Sequence, residues 1–74
     1  MIFSKRLRSQ EHIKAFVVDE ADDRGWEVRE EEDHQVVTRV WMHDWHRVEN
    51  VMMRFALEAT QLQRAGWVEV SNTV

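Results

Sequence analysis

Apolar residues along this chain follow two different periods. Ile13, Phe16, Val17 and Ala21 recur every three or four positions, the spacing of one helix face. Ser9 stands where an N-cap belongs and Gly25 where a left-handed residue would stop the helix, so the pattern predicts a helix over residues 10–24. At Trp26 the period falls to two. Trp26, Val28 and Glu30 alternate with Glu27, Arg29 and Glu31, a polar turn follows near Asp33 and His34, and residues 35–42 are rich in β-branched and aromatic types. That pair predicts an antiparallel hairpin. Asp44 then caps a second helix, along which Trp45, Val48, Met52, Phe55, Ala59 and Leu62 form one stripe before Gly66 closes it.

Two flanking segments complete the layout. Residues 2–7 alternate, with Phe3 and Leu7 against Ser4 and Arg6, and 67–70 read as a short last strand. The order βαββαβ is the ferredoxin-like α+β sandwich, a four-stranded antiparallel sheet with two helices on one face. Without the first strand the fold is αββαβ with three strands. The two glycines of the chain, Gly25 and Gly66, each precede a tryptophan and a short strand. This near-repeat of helix, Gly-Trp and strand favours the four-stranded form, which is built from two similar halves.

A chain of 74 residues predicts a single domain over 1–74, which buries only about 60% of the surface its unfolded form exposes. No proline is present and no linker stands out. The absence of cysteine removes any disulfide framework or thiolate zinc site and suits a reducing cytoplasm. No apolar run approaches the roughly 20 residues a bilayer requires, and the start of the chain lacks the apolar core of a signal peptide. A soluble cytoplasmic protein without membrane partners is expected. The net charge of −4 conceals an asymmetry: residues 1–18 carry four basic groups against one acid, and 19–33 carry nine acids against Arg24 and Arg29. Glu30, Glu31, Glu32 and Asp33 form its densest run, an acidic patch that repels phosphate backbones and suits a basic protein partner.

Candidate chemistry is sparse. His43 and His46 flank Asp44 and Trp45, but His43 precedes the helix cap and a third metal ligand would have to come from elsewhere. His34 sits in the predicted turn. General acid–base work needs carboxylates whose pKa values a desolvated cleft separates, whereas 30–33 fall at an exposed turn. Gly25 and Gly66 end helices in this reading and do not open a phosphate loop. With no cysteine nucleophile and no Ser/His/Asp set, the chain is not expected to be an enzyme or to use a cofactor or metal.

The sheet face without helices therefore carries the functional expectation. On residues 35–42 the alternation puts Val37, Arg39 and Trp41 on one side and Val36, Thr38, Val40 and Met42 on the other, and the second set is the more apolar. The open face would show Val37, Arg39 and Trp41 with Arg29, Glu27 and Glu69, and with Trp67 and Phe3 beside them. RNA-recognition modules stack bases on aromatics at such positions, but their basic and glycine-aromatic signature is missing here and the net charge has the opposite sign. Aromatics ringed by mixed charge fit the centre and rim of a protein interface. Met53 and Leu57, outside the main helix stripe, fit contact with Val18 or a second copy. The repeated helix, Gly-aromatic and strand succession is similar in layout to small acidic bacterial regulators that inhibit ribonuclease E, without their glycine-rich ending after Leu62. That resemblance implies a ferredoxin-like domain acting on another protein. The expectation is a non-catalytic interaction or regulatory module, a homodimer or a binder of a protein partner, using Val37, Arg39, Trp41, Arg29 and Trp67. Its alternatives are a small-ligand site at a dimer cleft and a nucleic-acid-binding domain.

Overall fold

The computed structural model describes residues 2–70. They form β1 (Phe3–Ser9), β2 (His12–Glu20), a 3-10 turn (Asp22–Arg24), β3 (Trp26–Glu32), β4 (Gln35–Met42), α1 (Trp45–Arg64) and β5 (Val68–Glu69). The strands make one antiparallel sheet in the order β4-β3-β2-β1-β5, with α1 packed on one side. Both the ferredoxin-like βαββαβ expectation and its αββαβ alternative are thereby corrected. The segment expected to be a first helix is a hairpin turn, the middle strand of the sheet and a 3-10 turn.

Burial explains the correction. Ala15, Phe16, Val17 and Val18 are four consecutive residues at most 3% exposed. A strand points successive side chains to opposite faces, so β2 is buried on both sides, as befits the central strand. A continuous apolar run satisfies a helical stripe and a doubly buried strand equally well. The β-branched Ile13, Val17 and Val18 tip the balance to the strand. Ser9, the supposed N-cap, instead pairs with His12 across a two-residue turn in which Gln10 takes a φ of 55°.

The second hairpin forms where the alternation places it. Asp33 and His34, at φ 52° and 70°, connect Glu32 to Gln35, and positive φ at both central residues is the backbone of a type I′ turn. Asp33 is further tied to the start of β2: its N–H donates to the Ile13 carbonyl at 2.8 Å and its Oδ1 accepts from Ile13 N–H at 3.0 Å. That hydrogen bond, followed by one with His12, holds the Asp33 carboxyl below its ordinary range.

Helix α1 starts and stops for local reasons. The Asp44 carboxylate accepts from His46 N–H at 2.9 Å, the N-cap bond. At the other end Gly66, φ 107°, donates to the Gln63 carbonyl while Trp67 N–H reaches back to Leu62, the paired bonds of a Schellman cap. Between the caps Val48, Val51, Phe55 and Ala59 enter a core with Leu7, Phe16, Val18 and Val28. Phe55 lies 5.0 Å from Phe16 and 6.2 Å from Phe3 between ring centroids. Trp26 meets Trp45 at 5.1 Å, and such ring pairs add about 0.5–1.5 kcal/mol beyond area burial. Met53 and Leu57, 66% and 62% exposed, lie on the far side of the helix, whereas Val18 is fully buried in the core; the expected contact between them is absent.

Gly25 ends no α-helix. It follows the 3-10 turn at φ 88°, and a Cβ there would lie 2.2 Å from the Met42 carbonyl oxygen, whereas one at Gly66 would meet nothing within 4 Å. The two glycines therefore separate. Gly66→Ala is expected to cost about 1–2 kcal/mol, the left-handed penalty alone. Gly25→Ala adds steric overlap with backbone and is expected to cost about 3 kcal/mol or more. Urea unfolding of both variants checks the order, and equal midpoints would contradict it.

Candidate interaction site

Cross-strand register assigns each residue to a face. Phe3, Phe16, Val18, Val28 and Met42 look toward α1, and the intervening positions make the open face. There Arg29 on β3 sits opposite Val17 on one side and Arg39 on the other. Its Nε donates to Glu31 Oε2 at 2.8 Å, its Nη1 to Asp19 Oδ2 at 2.8 Å, and the same nitrogen to Glu27 Oε1. The second oxygen of Glu27 receives Arg39 Nε at 3.1 Å. Side chains of Arg29, Glu27 and Glu31 are about one-fifth exposed. The bond it donates to Glu31, opposed by desolvation and reinforced by Asp19 and Glu27, holds the Arg29 proton more tightly than in an ordinary arginine.

This lattice also explains how a face without a helix is closed. Ala15 and Val17 lie on it, yet are 3% and 2% exposed. Their cross-strand neighbours are Arg6 and Glu31 for Ala15, Ser4 and Arg29 for Val17. Long side chains cover small ones with their aliphatic stems while their charged heads pair above.

Exposed apolar surface on this face gathers along β4. Val36, Val37 and Trp41 are 43%, 55% and 40% exposed. A break in register between Glu30 and Glu31 leaves Val37 bulged, so that Val36 pairs with Glu31 and joins the open face. Strict alternation places Val36 with the inward set, and one extra residue reverses it. Arg24 lies over the Trp41 ring at 5.1 Å. Beside it is a cavity of about 470 Å³ whose lining includes Asp19, Glu20, Asp22, Arg24 and Trp41.

The structure brings Arg29, Arg39 and Trp41 to one face, leaves Val37 at the bulge two residues from Arg39, and removes three other residues from that face. Trp67 packs at the margin of the core under α1, with Lys14 over its ring at 5.9 Å. Phe3 faces α1, and Glu69 bridges Lys5 at 3.2 Å on that same side. The reason is register: β5 sets Glu69 opposite Leu7, a core residue, and β1 sets Phe3 opposite the buried Val18, so both share the α1 face. The acidic run is divided as well. Glu31 belongs to the open-face lattice, Glu30 and Glu32 point to the helix side, where Glu32 meets Lys14 at 3.5 Å, and Asp33 holds the turn. The acids nearest Trp41 are Glu27, its cross-strand neighbour, and Asp19, with Glu20 and Asp22 completing the lining of the cavity beside it.

Among the described residues no three His, Cys, Asp or Glu side chains gather to hold a metal ion, and no helix is long and apolar enough to cross a membrane. His46, 89% exposed, lies 3.6 Å from Glu49. No family model, curated protein or solved structure matches the chain.

Two substitutions test the electrostatics. Arg29→Met keeps a stem over Val17 but leaves Asp19, Glu27 and Glu31 without their shared cation. Removing one partner of a buried pair costs about 3–5 kcal/mol; with a fifth of the side chain exposed and Arg39 retained, about 2–3 is expected. An unchanged urea midpoint would show that the lattice does not support the fold. Glu30, desolvated and near Glu58, has its carboxyl pKa raised above the ordinary 4.5. The folded state therefore binds this proton more readily than the unfolded state, and its contribution to stability falls as pH rises through that raised pKa. Glu30→Gln is expected to melt above the parent at pH 7, with the gap closing on acidification; a lower melting temperature at pH 7 would contradict the sign.

Proposed function

We propose that this chain is a non-catalytic protein-interaction module that associates with another polypeptide, in the first instance a second copy, through the open sheet face along β4. The observation that carries the reading is the row Val36, Val37 and Trp41, apolar residues 40–55% exposed on one outer strand and bordered by Arg39, Arg24 and the carboxylates around Arg29. A desolvated aromatic centre within a charged rim is the anatomy of a protein contact. The carboxylates of the lattice are engaged by arginines, which leaves them stabilising the surface instead of serving a reaction. The acids beside Trp41 disfavour a phosphate backbone, so nucleic acid ranks below protein as the partner.

Trp41 supplies the test because its side chain is 40% exposed and lies outside the core. Trp41→Ala is expected to fold, with an unaltered far-UV spectrum, and to self-associate at least tenfold more weakly, about 1.4 kcal/mol. Sedimentation equilibrium over a concentration series reads the dissociation constant. A folded variant with unaltered assembly would overturn the assignment of this surface.

A further inference from the structure

We infer that two copies join edge to edge through β4, antiparallel about a two-fold axis, so that their sheets continue into one. This inference rests on the self-association proposed above and supplies its geometry. β4 is outermost in the sheet and eight residues long, and among the described residues nothing pairs with its outer side. At the opposite border β5 is two residues long. An unpaired strand edge presents a row of backbone donors and acceptors that a second strand satisfies.

Exposure on both sides of β4 distinguishes this mode from stacking of open faces. Val40 points toward the α1 side with its cross-strand neighbour Val28, yet is 43% exposed, matching Val36 and Trp41 on the other side. A face-to-face contact would leave Val40 in water and would have to desolvate the Arg29 lattice, a cost that buried ion pairs recover only with full hydrogen bonding. Edge pairing leaves the lattice in place and brings apolar side chains together above and below the new ladder.

Charge points to a second copy as the occupant. β4 carries one formal charge, Arg39, and Glu27 holds it at 3.1 Å. Two identical strands therefore meet with the single charge of each already paired within its own copy, whereas a strongly acidic or basic strand would find no free counter-charge along β4. The two-fold arrangement consumes the long edge of each copy and closes the assembly at two.

The test combines one measurement on the parent with one variant. Amide hydrogen exchange of the full chain, read residue by residue at dilute and concentrated conditions, is expected to show the outward-pointing amides of β4 slowing at least tenfold as the dimer forms. Val40→Lys places a charge on the α1 side of the edge, remote from the open face, and is expected to weaken dimerisation at least tenfold while the lysine stem keeps the monomer folded. A dimer whose β4 amides exchange at one rate at all concentrations would overturn edge pairing and leave association through the open face standing. A strict monomer at millimolar concentration would overturn both. If Val40→Lys failed to fold, the exchange of the parent would still decide.

Discussion

β2 has to be buried on both sides, and the described chain has one helix with which to do it. Everything distinctive in the architecture follows. On one side Phe16 and Val18 meet Val48, Val51 and Phe55 of α1 in a conventional apolar core. On the other, Ala15 and Val17 are small enough to lie beneath the stems of charged neighbours, and Arg29 binds Asp19, Glu27 and Glu31 above them. A sheet of this size would ordinarily need a second layer to exclude water from its centre. Here a two-dimensional network of charge-assisted hydrogen bonds substitutes for it, which works because each arginine supplies several donors in a fixed fork.

How much of this was legible depended on whether a segment's pattern had one structural solution or two. Asp44, the apolar stripe to Leu62 and Gly66 specify a capped helix and nothing else, and α1 forms there. The strict alternation from Trp26 and the polar pair Asp33–His34 likewise admit only a hairpin. Residues 10–24 were different. Ile13, Phe16, Val17 and Ala21 fit a helical face, while Ala15 to Val18 fit a strand buried on both sides, and no local signal at Ser9 or Gly25 separates the two. The β-branched Ile13, Val17 and Val18 lean toward the strand, and tertiary pairing fixes it: β1 and β3 are each available to pair along β2, and a central strand between two hairpins leaves no unpaired backbone.

Faces follow from register, which no single segment displays. Trp67, Phe3 and Glu69 are expected on the open side, but Glu69 lies opposite Leu7 and Phe3 opposite Val18, both core residues, and Trp67 packs against the same core, so all three belong to the α1 side. Arg29, Arg39 and Trp41 were insensitive to that mistake, since their faces follow from the β3–β4 hairpin alone. Likewise the acidic run 30–33, continuous in sequence, cannot be continuous in space once it enters a strand, because alternation sends Glu31 to one face and Glu30 and Glu32 to the other. A charge run describes a surface only where the backbone is not extended.

An exposed apolar edge strand is a liability as well as an opportunity, and β4 carries devices that limit it. The bulge at Val37 interrupts the regular ladder and adds local twist, so an incoming strand cannot slide along the edge without losing backbone bonds. Arg39, anchored by Glu27, sets a charged marker a short way from the bulge, making shifted registers inequivalent. These features do not forbid pairing; they restrict it to registers that respect a defined break. Symmetry supplies the remaining restraint, because β5 offers only two residues at the far border. Growth beyond two copies would have to begin on that short edge, where few backbone bonds are available to offset the ordering of another chain.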